Sequence, residues 1–221
     1  MSGQPKLVYV ADPMCSWCWG FMPVMHSIVR RFGDRVPATL RLGGLRTSVA
    51  EPMDDEFKAT ARKHWEHVQA TTGQPFNYAF FDRDEFIYDT EQPCRAVVAA
   101  RAEQPDQAVP FLDHLHAAFY RDNHDITDPD VLCDLAEIFG FDRAGFAARL
   151  SSDAVKEATH RDFALTRGLG LRGFPSLVGQ RGERLSLIFT GYHPEEVASS
   201  LIDQWLKHTD AQGRNASAAS T

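Results

Sequence analysis

The chain has 221 residues, 43% of them hydrophobic and 24% charged, and 23 Lys and Arg against 30 Asp and Glu give a formal net charge of −7. That length supports a sizeable hydrophobic core without disulfide staples, and the acidic balance argues against a protein held to nucleic acid by charge. The longest run free of polar side chains, Trp17 to Met25, is far short of the ~18 residues of a membrane span, so neither nucleic acid nor membrane is an expected partner.

The opening Met-Ser-Gly-Gln-Pro-Lys lacks a basic segment followed by an apolar run, so no secretory leader is expected and the expected location is cytoplasmic. Lys6–Asp12 is β-branched and aromatic and is ended by Pro13, which predicts a strand. From Cys15 the spacing turns helical: Phe21, Met25, Ile28, Val29 and Phe32 recur at three and four residues, and Gly33 is the stop. Pro37–Leu42 predicts a second strand, completing a βαβ unit. Between about Met53 and Ser152 helix signals dominate. Pro93 opens a helix through Val97 and Arg101, and Phe111, Leu112, Leu115 and Phe119 form the stripe of another. Asp128, Pro129 and Gly140 bracket a third, whose predicted stripe of Val131, Leu132, Leu135, Ile138 and Phe139 leaves Cys133 off the core side. Strand signals return in Gly173–Val178, then come a turn at Gly179–Gly182 and a strand at Leu185–Thr190 with Leu185, Leu187 and Phe189 alternating. Pro194 opens a last helix expected to bury Val197, Leu201 and Trp205, and from Thr209 the small polar residues predict a frayed tail.

Cys15-Ser16-Trp17-Cys18 stands where the first strand hands over to the first helix. A thiol there lies near unpaired backbone N–H groups and the positive end of the helix dipole, which favour its thiolate. Cys18 is almost one turn further on. This predicts Cys15 as the exposed nucleophile and Cys18 as the more buried resolving thiol, which displaces substrate from the mixed disulfide. The competing reading is half of a zinc site. Zinc needs about four ligands, whereas Cys94 and Cys133 are single, and His64 and His67 have no cysteine pair beside them. The redox reading is favoured, and no metal or cofactor is expected. Pro175, inside an otherwise convincing strand, is either an edge-strand proline or the site of a cis peptide.

A strand ending at Cys-x-x-Cys, a helical segment, then Gly-Phe-Pro-Ser-Leu-Val resembles the DsbA-like branch of the thioredoxin superfamily. Asp12-Pro13-Met14-Cys15-Ser16-Trp17-Cys18-Trp19-Gly20 is most similar to its cytosolic FrnE-type members. The resemblance implies an α/β, thioredoxin-like fold with a large all-helical insertion between the N-terminal βαβ unit and the C-terminal β-hairpin plus helix. The expected division is a discontinuous thioredoxin-like domain over 5–52 and 153–208, an insertion over 53–152, and a flexible tail over 209–221. It implies a thiol–disulfide oxidoreductase, reductase or isomerase, acting on protein or peptide disulfides, with glutathione as a further candidate partner. Cys15 is then the nucleophile, Cys18 the resolver and Pro175 the cis proline. Pro175, Phe174, Trp17 and Ser16 are the expected substrate-binding residues, Ser16 as a donor to the Cys15 thiolate, Trp17 as a groove wall and Phe174 as a bulky restriction. One departure is Tyr9, which stands where thioredoxins carry a buried acid, so proton transfer at Cys18 lacks its usual assistant. Two alternatives stay open: a glutathione-linked enzyme of the 2-hydroxychromene-2-carboxylate isomerase or kappa-class transferase type, whose members typically have serine at the Cys15 position, and a non-catalytic binding module. Metal analysis of protein purified without chelators should return far less than one zinc per chain, whereas about one equivalent, released on thiol modification, would restore the zinc reading.

Overall fold

The computed structural model describes residues 4–218, with side chains through 208. In chain order it comprises β1 (Lys6–Ala11), α1 (Ser16–Phe32), β2 (Ala38–Leu42), α2 (Asp55–Thr72), a 3₁₀ turn (Tyr78–Asp82), α3 (Glu91–Glu103), α4 (Ala108–His116), α5 (Pro129–Phe139), α6 (Arg143–Leu150), α7 (Asp153–Gly168), β3 (Ser176–Arg181), β4 (Arg184–Thr190) and α8 (Glu195–Ala218); α4 continues as a π-helical turn, Ala117–Arg121. No described helix is long and apolar enough to cross a membrane.

The four strands form one sheet in the order β2-β1-β3-β4, with β1 and β2 parallel and the other pairs antiparallel. Side chains alternate across it, as the period of two demands. Leu7, Tyr9, Ala11, Leu40 and Leu177 face the main core with α1 and the helices of the insertion, while Val8, Val10 and Val178 meet Leu171 on the other side. Gly20 lets α2 cross α1 closely, for a Cβ there would lie 2.8 Å from Val68. At the β2 edge the free backbone groups are covered by side chains, which protects an edge strand from adventitious pairing. Arg101 donates to Leu40 O (2.7 Å) and Asp162 (2.6 Å), Asp162 accepts the Leu42 N–H (3.1 Å), and Thr166 donates to Leu42 O (3.3 Å).

The α/β architecture with its helical insertion matches the expectation from sequence, and the brackets around α5 are as predicted: Asp128 caps through the Asp130 N–H and Gly140 adopts a left-handed conformation. Four details differ. β3 continues through Gly179–Arg181, so the hairpin turn falls at Gly182-Glu183 rather than Gly179–Gly182. A bulge makes Leu177 pair with Phe189 and Val178 with Leu187, skipping Ile188. One extra residue reverses the facing of what precedes it, so Phe189 is buried while Leu187 is 57% exposed. On α5 the buried arc runs round toward α6 and takes in Cys133, leaving Ile138 74% exposed. α8 buries Ala198, Ser199 and Ile202 rather than Val197, lays Trp205 against Gly179, and runs on to Ala218 into the segment expected as a tail, whose last residues, 219–221, lie outside the described ones.

Replacing Asp162 by Ala should lower the unfolding free energy by about 3 kcal/mol, because it strips a largely buried Arg101 of its partner. Urea denaturation measures this, and a loss well under that figure would mean packing alone holds the β2 edge.

Candidate active site

The β1 strand ends at Ala11, and Asp12-Pro13-Met14 turns the chain so that Cys15 becomes the N-cap residue of α1, with its backbone extended at φ −96° and ψ 110°. The Cys15 carbonyl accepts the N–H of Cys18 (2.9 Å) and of Trp19 (3.1 Å), closing the first turn. Antiparallel pairing of Val10 with Ser176 delivers the Phe174–Pro175 peptide, which is cis, to the same spot. There the Cys15 thiol donates to the Phe174 carbonyl at 3.6 Å. The two motifs singled out in the sequence therefore meet.

Contrary to expectation, Cys15 is not exposed: 6% of it is accessible and none of Cys18 is. The helices of the insertion roof over the dithiol, and Cys15 lies in a cleft of about 430 Å³ whose walls include Trp17, Arg46, Phe57, His64, Tyr88 and Phe174. Trp17 is held between the rings of His67 (5.3 Å) and Tyr192 (5.6 Å). Trp19, Phe21 and Met22 belong to the core instead, with the Trp19 indole N–H donating to Pro75 O at 3.1 Å. Ser16 lines the cleft, but its hydroxyl makes no hydrogen bond to Cys15. The Phe174 ring lines the cleft and its tip abuts Gly43, where a Cβ would come within 2.1 Å of Cζ.

Burial pushes the Cys18 thiol well above its ordinary value, and the neighbouring Cys15 adds to the shift through a hydrogen bond and its charge; a backbone hydrogen bond from Asp12 acts in the opposite direction. The Tyr9 hydroxyl, which donates to Met22 Sδ at 4.0 Å, is itself pushed up, first by burial and then by the charge of Cys18. All four cysteines are free thiols. Cys94 and Cys133 are buried away from the cleft, and among the described residues no cluster of three or more His, Cys, Asp or Glu is arranged to hold a metal.

Asp12 stands at the end of the first strand's run, the acid nearest the dithiol in sequence. It is the hub of the site. Fully buried, its carboxylate accepts the N–H of Met14 (2.9 Å) and of Leu45 (2.7 Å), the Thr90 hydroxyl (2.8 Å) and the Cys94 thiol (3.4 Å). Burial raises the Asp12 carboxyl, and these donors offset part of the rise. Its carbonyl accepts the Cys15 N–H (3.1 Å) and lies 3.0 Å from His116 Nε2, which must be the protonated nitrogen because a carbonyl only accepts. The Tyr88 hydroxyl donates to the Met14 carbonyl. Tyr88, Thr90, Cys94 and His116, all from the insertion, thus grip the turn that presents Cys15. The one local signal was Asp before Pro at the end of a strand; the partners are too distant in sequence to be inferred.

The family model of the DSBA-like thioredoxin domain matches residues 6–202. Among solved structures, a protein from Nitrosomonas europaea provisionally described as a protein disulfide isomerase is 38% identical, with a TM-score of 0.85 over 93% of this chain and 98% of that one. The cytosolic disulfide reductase DsbM from Pseudomonas aeruginosa is 26% identical, with a TM-score of 0.75 over 90% of this chain and 98% of its own, and it has also been solved with GSH. Among curated proteins, the ClpXP adapter protein SpxH of Halalkalibacterium halodurans is 21% identical over 92% of this chain and 68% of that protein.

His116 supplies a pH test of the grip on the turn. Burial pushes its imidazole down to about 4 from an ordinary 6.5, so folding favours the neutral ring. The stability this contributes is complete above pH 6.5 and is lost as the pH falls toward 4. Urea unfolding of wild type should therefore weaken between pH 7 and pH 4 by on the order of 3 kcal/mol more than that of His116→Gln, whose amide can still donate to Asp12. Parallel curves would contradict the assignment.

Proposed function

The chain belongs to the DSBA-like thioredoxin domain family, and from that premise we propose that it is a thiol–disulfide oxidoreductase, a reductase or isomerase, acting on protein or peptide disulfides through the Cys15/Cys18 pair. The observation that carries the reading is the asymmetry of two adjoining free thiols. One faces a cleft beside the Phe174 carbonyl, and the other is sealed behind it with its proton held by burial. Cys15, as thiolate, attacks a substrate sulfur; one substrate thiol leaves and a mixed disulfide remains on Cys15. Cys18 then loses its proton and attacks the Cys15 sulfur, releasing the second substrate thiol and leaving the Cys15–Cys18 disulfide. Two electrons pass to the substrate, and the two cysteine protons end on the product thiols.

In this mechanism Trp17 and Phe174 flank the substrate, the Phe174 backbone offers pairing to an extended chain, and Pro175 shapes the approach to Cys15. Ser16 is a wall residue rather than a donor to the nucleophile. Tyr9 stands where thioredoxins carry an acid; its hydroxyl, bonded to Met22 Sδ, is held protonated by burial and by the charge of Cys18. The likeness to DsbM, a cytosolic reductase also solved with GSH, supports a cytoplasmic location and glutathione as a thiol partner that returns the pair to the dithiol. A reducing compartment favours reduction or isomerisation over net oxidation. A thiol rather than a hydroxyl at position 15 speaks against the glutathione-linked isomerase or transferase alternative.

A second reading is favoured by the relatives named ClpXP adapter protein SpxH. A binding module of that kind would keep its biological effect after alanine replacement of both Cys15 and Cys18, whereas the oxidoreductase would lose its effect.

Cys18→Ser should accumulate mixed disulfides through residue 15, seen as adducts by mass spectrometry, while Cys15→Ser should accumulate none. The reverse pattern would exchange the two roles. Wild type should reduce insulin disulfides and should not conjugate glutathione to a chlorinated aromatic; the opposite result would establish the alternative enzyme class.

A further inference from the structure

The cleft over Cys15 is mainly apolar, and no carboxylate is among its lining residues, although the chain as a whole is acidic. The one lining side chain with a permanent charge is Arg46. Its backbone is tied to the same network that holds the nucleophile: Thr90 N–H donates to Arg46 O (2.8 Å), and Arg46 N–H donates to the Thr90 hydroxyl (3.3 Å), which in turn donates to Asp12. Its guanidinium stacks 4.5 Å over the Phe57 ring, another wall of the cleft. What it lacks is an anion. Other partly buried arginines have their partners: Arg83 meets Asp125 (3.8 Å), Arg101 meets Asp162 (2.6 Å), Arg149 meets Glu103 (2.6 Å), and Arg95, without an ion pair, donates to Leu150 O (2.9 Å). Arg46 has no ion pair among the described residues, and its Nε is buried without a hydrogen-bond partner. Arg46 and Phe57 also line an adjoining recess that holds Glu51, Asp54 and Glu56, yet none of these carboxylates forms an ion pair with Arg46.

A buried donor left unmade costs free energy that a ligand can recover, and a guanidinium fork matches a carboxylate. We propose that Arg46 is a specificity-determining residue, and that the cleft takes disulfides carrying a carboxylate close to the reacting sulfurs. The Arg46 guanidinium accepts the carboxylate as its ion-pair partner while Cys15 attacks the adjacent sulfur. This rests on the thiol–disulfide reading above and adds the charge class of the substrate. The reaction balances as before: the enzyme dithiol and R–S–S–R give the Cys15–Cys18 disulfide and two R–SH, each product thiol carrying one of the two protons lost by the cysteines.

The test is a single-turnover comparison on the full chain, pre-reduced and freed of reductant. Oxidation by dithiodipropionate, an anionic disulfide, and by hydroxyethyl disulfide, a neutral one, is followed by intrinsic tryptophan fluorescence and by counting free thiols. The quantity read is the ratio of the two second-order rate constants, anionic over neutral. Arg46→Gln should lower that ratio by about tenfold, and Arg46→Lys, which keeps the charge, should recover most of it. Raising the salt concentration should shrink the wild-type ratio and leave that of Arg46→Gln nearly flat. A ratio that Arg46→Gln does not move, or a loss of both rates in proportion as collapse of the Phe57 stack would produce, overturns the proposal. If wild type is oxidised by neither disulfide, the oxidoreductase reading falls with it; a wild type oxidised by both at rates that ignore Arg46 leaves the reading standing and removes only the specificity assignment.

Discussion

A carboxylate buried at the end of a strand is expensive unless every lone pair is used. Asp12 uses its lone pairs on four donors drawn from widely separated stretches of chain: Met14 in its own turn, Leu45 after β2, and Thr90 and Cys94 at the start of α3. The consequence is geometric. Its carbonyl accepts both the Cys15 N–H and the His116 Nε2–H, so the residue that satisfies the insertion also fixes the entry into α1. The helical insertion is therefore more than a lid over the sheet. It supplies donors without which the turn carrying Cys15 would have no reason to hold one shape.

From that constraint the difference between the two thiols follows. A thiol at the N-cap points out of the helix end, and the next one, almost a turn later, faces the sheet. The pairing of β1 with β3 then brings Phe174 alongside the first thiol only. Cys18 is left with Tyr9, Asp12 and Cys15 for company and is held protonated by its burial. Thiol–disulfide exchange needs this inequality, because one sulfur has to meet the substrate while the other waits and then displaces it. The same enclosure that shields Cys18 makes the cleft small and largely apolar, so the few polar groups on its wall stand out.

Much of this was legible from sequence where the signal is local. The βαβ unit, the capped helix over Pro129–Phe139, and the dithiol at a strand-to-helix junction each rest on a short run of residues with its own punctuation. The proline in Phe174-Pro175 announced something unusual because a strand interior has no place for it. What escaped depends on tertiary partners. The bulge at Ile188 reversed the facing of Leu187, and nothing in an alternating pattern marks where one residue will be skipped. Cys133 is buried because α6 covers a flank of α5 that helical spacing assigned to solvent. The central place of Asp12 is hidden for the same reason, since its partners at Leu45, Thr90, Cys94 and His116 carry no mark that points back to it. Cys15 itself, expected in the open, lies within a cleft because of helices whose packing a periodic pattern does not specify.

The central claim is that Cys15 and Cys18, and no other pair, are the reversible two-electron couple of this protein. Equilibration in glutathione buffers of graded ratio, followed by acid quenching and peptide mapping of alkylated thiols, measures it directly. The account predicts one reversible transition that links Cys15 to Cys18 while Cys94 and Cys133 remain thiols. A transition that consumes Cys94 or Cys133, or two cysteines at positions 15 and 18 that stay reduced across the whole range, would contradict it.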